Sequence, residues 1–130
     1  MPFLLDTNVI IHAHDGSEPV LKKLVQHEGE IVVSTLCLAE LKRGLYANPA
    51  LAEQRRERLD VLLTRLPVLP FDVAAVAAYE RIIARLGWVR SRDFDRMIAA
   101  HAISRNAVLV SGNEADFADI PGLMFENWNA

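Results

Sequence analysis

The sequence predicts an α/β fold in which strands alternate with helices. Three observations carry that prediction. The apolar runs Phe3-Leu4-Leu5, Ile31-Val32-Val33 and Ala107-Val108-Leu109-Val110 are continuous rather than alternating, as in strands buried on both faces. The stretches between them place apolar residues at helical spacing behind residues suited to capping. Turn signals such as Asp15-Gly16, Asn48-Pro49 and Pro121-Gly122 separate the elements. Such a pattern gives a parallel sheet covered on both faces.

The first strand, Phe3 to Leu5, ends at Asp6, and Thr7-Asn8 leads into a short helix that stops at Asp15-Gly16. Residues 19–28 form a second helical stretch with Val20, Leu21, Leu24 and Val25 on one face. Ile31 to Val33 is the second strand. Ser34 or Thr35 caps the next helix, which runs through Leu38, Leu41 and Leu45 to Asn48-Pro49. A charged helix follows from Pro49 to Leu66, with Arg55, Arg56, Glu57 and Arg58 expected in solvent. Pro67 to Phe71 is a proline-flanked strand suited to a sheet edge. Asp72 caps an alanine-rich helix that ends at Gly87. Residues 88–92 are a basic loop containing Trp88. Asp93 is expected to cap a helix carrying Phe94, Met97, Ile98 and Ala102. The strand ending at Ser111 is followed by a short turn or helix over 113–118, then by a last strand at Leu123 to Phe125.

At 130 residues the chain fits one domain, expected to span 1–130, and is long enough to bury a core unaided. With 52% hydrophobic and 24% charged residues it is neither disordered nor low-complexity. The single Cys37 excludes an intrachain disulfide and a cysteine-rich zinc site. No apolar run approaches a membrane span, and the start lacks the pattern of a signal peptide, so a cytoplasmic protein without membrane contact is expected. The net charge of −3 argues against binding nucleic acid through overall charge. That average misleads if Asp6, Glu40, Asp93, Asp95 and Asp116 share one metal site, because the remaining surface is then mildly basic.

The placement of the acids supports such a site. In open α/β sheets ligands bind beyond the carboxyl ends of the strands. Asp6 directly follows the first strand, Glu40 lies within two turns of the end of the second, Asp95 lies in the first turn of its own helix, and Asn113 and Asp116 follow the strand ending at Ser111. Carboxylates converging on one spot repel, and a divalent cation relieves that repulsion. Oxygen ligands without cysteine or clustered histidine select Mg²⁺ or Mn²⁺ over zinc. A metal-bound water is suited to attack on phosphorus. Asp93 and Asp95, two apart, stand about 200° apart on a helix, so Asp93 is assigned as cap and Asp95 as the inward acid. His12 and His14 are read as surface or near-site residues, Cys37 as core, and Trp88 and Trp128 as packing residues, with stacking on a base as the alternative for Trp88 in its basic loop. His101 has no informative spacing.

These segments together resemble the PIN domains, and within them the VapC-type toxin ribonucleases of bacterial toxin–antitoxin pairs. The resemblance rests on Leu5-Asp6-Thr7-Asn8-Val9-Ile10, Leu38-Ala39-Glu40-Leu41 with Arg43-Gly44, Asp95 to Ala102, Val110 to Phe117, Ile120 to Leu123 and Glu126-Asn127-Trp128. It implies a three-layer sandwich around a mostly parallel sheet of four to five strands. It implies a Mg²⁺-dependent endoribonuclease, with Mn²⁺ as substitute. Asp6, Glu40 and Asp95 are then metal ligands, Asp116 a further catalytic acid, and Thr7, Asn8, Ser111 and Asn113 supporting residues. The family often has an acid where this chain has Asn113, which leaves open whether Asn113 or Asp116 fills the fourth position. Expected partners are a VapB-type antitoxin, an RNA substrate such as transfer RNA, a second copy in a homodimer, and operator DNA through the antitoxin alone. Arg43, Arg90, Arg92 and Arg96 are candidates for an RNA-binding rim. The alternative is a non-catalytic scaffold that binds RNA or antitoxin because Asn113 has broken the site. A phosphatase using Asp6 as nucleophile is disfavoured by Asn8, which stands where the second carboxylate would be needed.

Overall fold

Continuous apolar runs need cover on both faces, and the fold supplies it. The computed structural model describes residues 1–129. Its elements are β1 (Phe3–Leu5), α1 (Thr7–His14), α2 (Glu18–Gln26), β2 (Ile31–Ser34), α3 (Thr35–Leu45), α4 (Ala52–Leu63), β3 (Val68–Leu69), α5 (Val73–Leu86), α6 (Asp93–Ser104), β4 (Val108–Val110), α7 (Glu114–Phe117) and β5 (Met124–Glu126). Short 3-10 turns at Pro49–Leu51 and Arg90–Arg92 precede α4 and α6.

The five strands form one sheet in the order β3-β2-β1-β4-β5, with every neighbouring pair parallel. Leu4 stands opposite Val32 on one side and Leu109 on the other. All three residues of β1 and all three of β4 are buried, so both sheet faces are covered. The prolines around Val68 and Leu69 lie at the sheet's edge, where a missing N–H costs no ladder bond. The core is continuous from Leu4, Leu5, Leu109 and Val110 out to Ile98 and Trp128. Each such side chain contributes about 1.5–3 kcal/mol through burial.

This strand order fixes where a site forms. The chain runs outward from β1 through β2 to β3, then returns to build β4 and β5 on the other side. The order therefore reverses between β1 and β4, and their carboxyl ends open the crevice where α/β sheets bind ligands. Asp6 leaves β1 there, its N–H bonded to the carbonyl of Val110 at 2.9 Å.

The caps follow the sequence expectations with one correction. Ser34 caps α3, its Oγ accepting the Leu36 N–H at 3.1 Å, and Asp72 caps α5 through the Ala75 N–H at 3.1 Å. Gly87 ends α5 at a φ of +79°, a conformation that favours glycine. Asp93 does not cap α6. It sits inside the first turn, and its carboxylate instead accepts the Tyr79 hydroxyl of α5, so its function is to join two helices. The packing expectation for the tryptophans also divides. Trp128 is buried between Phe3 and His27, whereas Trp88 is 62% exposed in the loop after α5.

Candidate active site

Asp6 is held by the backbone that surrounds it. It caps α1, and its Oδ1 accepts the Thr7 N–H at 2.8 Å. Its Oδ2 accepts the Ser111 hydroxyl at 2.9 Å from the end of β4. The side chain is almost fully buried at 5% exposure. Burial pushes the Asp6 carboxyl above the ordinary carboxylate range, opposed by the Ser111 and Thr7 hydrogen bonds and reinforced by the charges of Glu40 and Asp116.

Asp95 sits in the first turn of α6, half-buried. Its carboxyl is pushed up to about 6, first by burial and then by Asp6, Asp116 and Glu40, with Arg92 pulling the other way. Acids from four separate segments therefore feel one another. Asp6, Glu40 and Asp95 line a common cavity of about 640 Å³, with Thr7, Asn8 and Asn113 beside them. Asp116 is half-buried just outside that lining. Its N–H is bonded to the Asn113 carbonyl at 3.1 Å, which keeps both fourth-position candidates at the same corner. Ser111 ties that corner down, because its Oγ also accepts the Asn113 N–H at 3.1 Å.

The cavity fits a hard divalent cation. Its acid end offers oxygen ligands only, and two of its carboxyls are held above their ordinary range, first by burial and then by the charges of the neighbouring acids. Thr7 Oγ1 is buried alongside with no hydrogen-bond partner. Among the described residues no three His, Cys, Asp or Glu side chains close together around one point, so direct coordination by all three acids is not preformed. A cation held there would reach some of the acids through water.

The candidate cations fare differently. Arg43 lines the cavity, exposed, 3.5 Å from Glu40. Arg92 is half-buried in the turn before α6 and acts on Asp95, whereas Arg90 is exposed and does not line the cavity. Arg96 is not a rim residue. It is 4% exposed, donates to the Gly87 carbonyl at 2.7 Å and lies 3.6 Å from Asp119, so it holds the α5–α6 turn. Its place one residue after Asp95 turns it away from the acids. His14 lines the far end of the cavity and His12 pairs with Asn129 on the surface. Sequence reasoning missed Arg55 and Phe94, both in the cavity wall. The signal for Arg55 was present: Leu59, one turn later on α4, is buried, and the two share a helix face.

Residues 3–123 match the PIN domain family. This chain belongs to that family. PIN ribonucleases depend on metal ions as a class. This PIN domain is 33% identical over 99% of both chains to a protein named Ribonuclease VapC2 from Rickettsia felis. It is 30% identical, again over 99% of both, to the tRNA(fMet)-specific endonuclease VapC of Shigella flexneri. In structure it resembles a chain in the crystal structure of VapBC2 from Rickettsia felis bound to a DNA fragment from their promoter, with a TM-score of 0.88 at 30% identity over 98% of this chain and 99% of the other. The α/β PIN fold is thus shared along its length, and the sheet of five parallel strands falls within the expected range. Among the described residues no helix is long and apolar enough to cross a membrane.

Proposed function

We propose that this chain is the toxin half of a VapBC-type pair and an endoribonuclease that hydrolyses a phosphodiester bond in RNA with Mg²⁺, or Mn²⁺ in its place. Asp6, Glu40 and Asp95 are its metal ligands, directly or through water. The observation that carries this reading is the raised Asp6 and Asp95 carboxyls, which face one cavity and are each pushed further by the other acids. A divalent ion held there would supply a bound water that loses its proton more readily than bulk water, and charge to offset that building on the phosphoryl oxygens.

The chain's own residues do the rest. Ser111 and the Thr7 N–H fix both oxygens of Asp6, so the carboxylate is oriented before substrate arrives. Asn113 contributes an uncharged oxygen at the rim and Asp116 a charge behind it. Arg43, exposed beside Glu40, meets the RNA backbone at the acid end. Transfer RNA is the favoured substrate class, as in the name of the Shigella relative. The antitoxin partner and its operator DNA follow the VapBC2 complex, with no DNA contact required of this chain. The toxin pairs as a homodimer and acts in the cytoplasm.

The test is cleavage of transfer RNA by the purified chain. Mg²⁺ should support cleavage and excess EDTA should abolish it. Asp6→Asn and Asp95→Asn should be inactive yet folded. Full activity in EDTA overturns the reading. Absence of Mn²⁺ binding by calorimetry favours the non-catalytic scaffold.

A further inference from the structure

The cavity does not end at the acids. It runs along α1 from Thr7 to His14 and along α3 from Glu40 to Leu45, and α4 closes it with Arg55 and Leu59. The eight residues of α1 span about 10 Å, so the far wall stands well beyond the acid end. Asp6, Glu40 and Asp95 gather at one end with Arg43 beside Glu40, and Arg55 lines the wall on α4, with His14 and Asp15 at the end of α1.

Arg55 is placed by its helix. Leu59, one turn on, is 4% exposed and anchors that face of α4. Lys42 bonds Asp60 across α3 and α4 at 3.5 Å, and Arg56 donates to the Tyr46 hydroxyl at 2.8 Å while lying over its ring. These contacts, both made just after Arg55, fix α4 against α3 and the turn that follows it. Arg43, Arg96 and Arg105 each pair with a carboxylate, but among the described residues Arg55 pairs with none. Between Arg55 and the acids the wall includes Gly44. A Cβ built there would meet nothing within 4 Å, so the wall is open at that point.

We propose that Arg55 binds an RNA phosphate away from the scissile one, and that Gly44 keeps clear the groove by which the strand runs between Arg55 and the acids. This rests on the ribonuclease reading and adds a positioning site to it. An unpaired guanidinium offers a planar donor fork suited to a phosphate. A second grip on the backbone fixes which phosphate reaches the acids, because binding distant from the chemistry orients the reacting bond.

The experiment measures binding of a short fluorescein-labelled single-stranded RNA to the full chain carrying Asp6→Asn, which keeps the RNA intact. Adding Arg55→Gln should weaken binding about tenfold, the loss of one charge-assisted hydrogen bond. It should also lower the slope of log affinity against log salt by about 0.7, one phosphate's worth for a single strand. Arg55→Lys should recover the slope. Gly44→Leu should weaken RNA binding while the thermal midpoint holds or rises, since leucine favours a helix over glycine. Mn²⁺ binding, measured with Asp6 intact, should be unchanged by both substitutions. RNA affinity and salt slope unaffected by Arg55→Gln overturn the proposal, as does a loss confined to antitoxin binding. Failure of the parent chain to cleave RNA with Mg²⁺ would instead sink the ribonuclease reading and leave the Arg55 binding result standing.

Discussion

Ser111 donates its hydroxyl to Oδ2 of Asp6 at 2.9 Å, joining residues 105 positions apart at the reversal point of the sheet. Ser111 Oγ also accepts the Asn113 N–H, so one hydroxyl links the first acid to the loop with the fourth-position candidates. That bond opposes the rise that burial imposes on Asp6. Ser111→Ala removes it, and the carboxyl should hold its proton to higher pH. The acid limb of the pH–rate profile should move upward, and stability in urea should fall by about 1–3 kcal/mol. A profile that stays in place assigns Ser111 to packing alone.

Asp95 makes the metal-free site pH-dependent. Its ordinary carboxyl titrates at 3.8 and its folded one at about 6. Below that window both states are protonated, and above it both are ionised. Between them the folded chain holds more protons, so this residue lowers stability as pH rises from about 4 to about 6. Asp95→Asn should therefore be more stable than the parent in EDTA at pH 8, with little difference near pH 3.5. Added Mn²⁺ should stabilise the parent increasingly as pH rises through the window, and the variant much less. Thermal melts at the two pH values, with and without metal, check the sign.

How much of this was legible in the sequence depended on how local each signal was. Asp6 and Asp95 were readable because a strand end and a first helical turn fix their direction within a few residues. Glu40 was readable because Leu41 beside it turns the same stretch of α3 inward. Asp93 was misread as a cap because its partner, Tyr79, lies on another helix. Arg96 was misread because a basic stretch suggests solvent, and only the tertiary fold brings the Gly87 carbonyl to it. Arg55 was obscured by its charged neighbours, although the phase of Leu59 already pointed it toward the cavity. The bond between His101 and Ser34, 67 positions apart, left no trace in spacing.

His101 should impose a pH dependence of the opposite sign. It is fully buried, with Nδ1 sharing a hydrogen bond with Ser34 Oγ at 2.8 Å and the ring edge-on to Phe71. Burial lowers its value from 6.5, aided by Arg105 and opposed by Asp72. Above pH 6.5 the ring is neutral in both states. As pH falls below that, the unfolded chain takes a proton that the folded ring resists, and stability is lost. His101→Gln should remove this acid sensitivity, leaving the contribution of Asp95 exposed. Urea titrations between pH 4.5 and pH 8 separate the two, and a variant with the parent's acid sensitivity contradicts the assignment.

Cys37 offers a direct check on the core beneath the site. Its thiol is buried against the Leu5 carbonyl at 3.5 Å, and burial pushes it up to about 12. At neutral pH it is therefore a thiol and a poor nucleophile. Alkylation of the native chain should be far slower than of the chain in urea, and Cys37→Ala should retain RNA cleavage while costing some stability. Rapid labelling under native conditions would show that the end of β1, and with it Asp6, opens readily.

Arg96 separates stability from RNA binding. Its guanidinium is buried, with one donor on the Gly87 carbonyl and a second nitrogen facing Asp119. Arg96→Met keeps the apolar stem and leaves that carbonyl without its charged donor. The expected cost is about 1.5–3 kcal/mol in urea denaturation. In the Asp6→Asn chain the salt slope of RNA binding should not change, because this charge faces a protein carbonyl and carboxylate rather than solvent. A slope lowered by about 0.7 would return Arg96 to the RNA-binding rim. The contrast with Arg55, for which the slope should fall and stability should hold, makes the two arginines internal controls for each other.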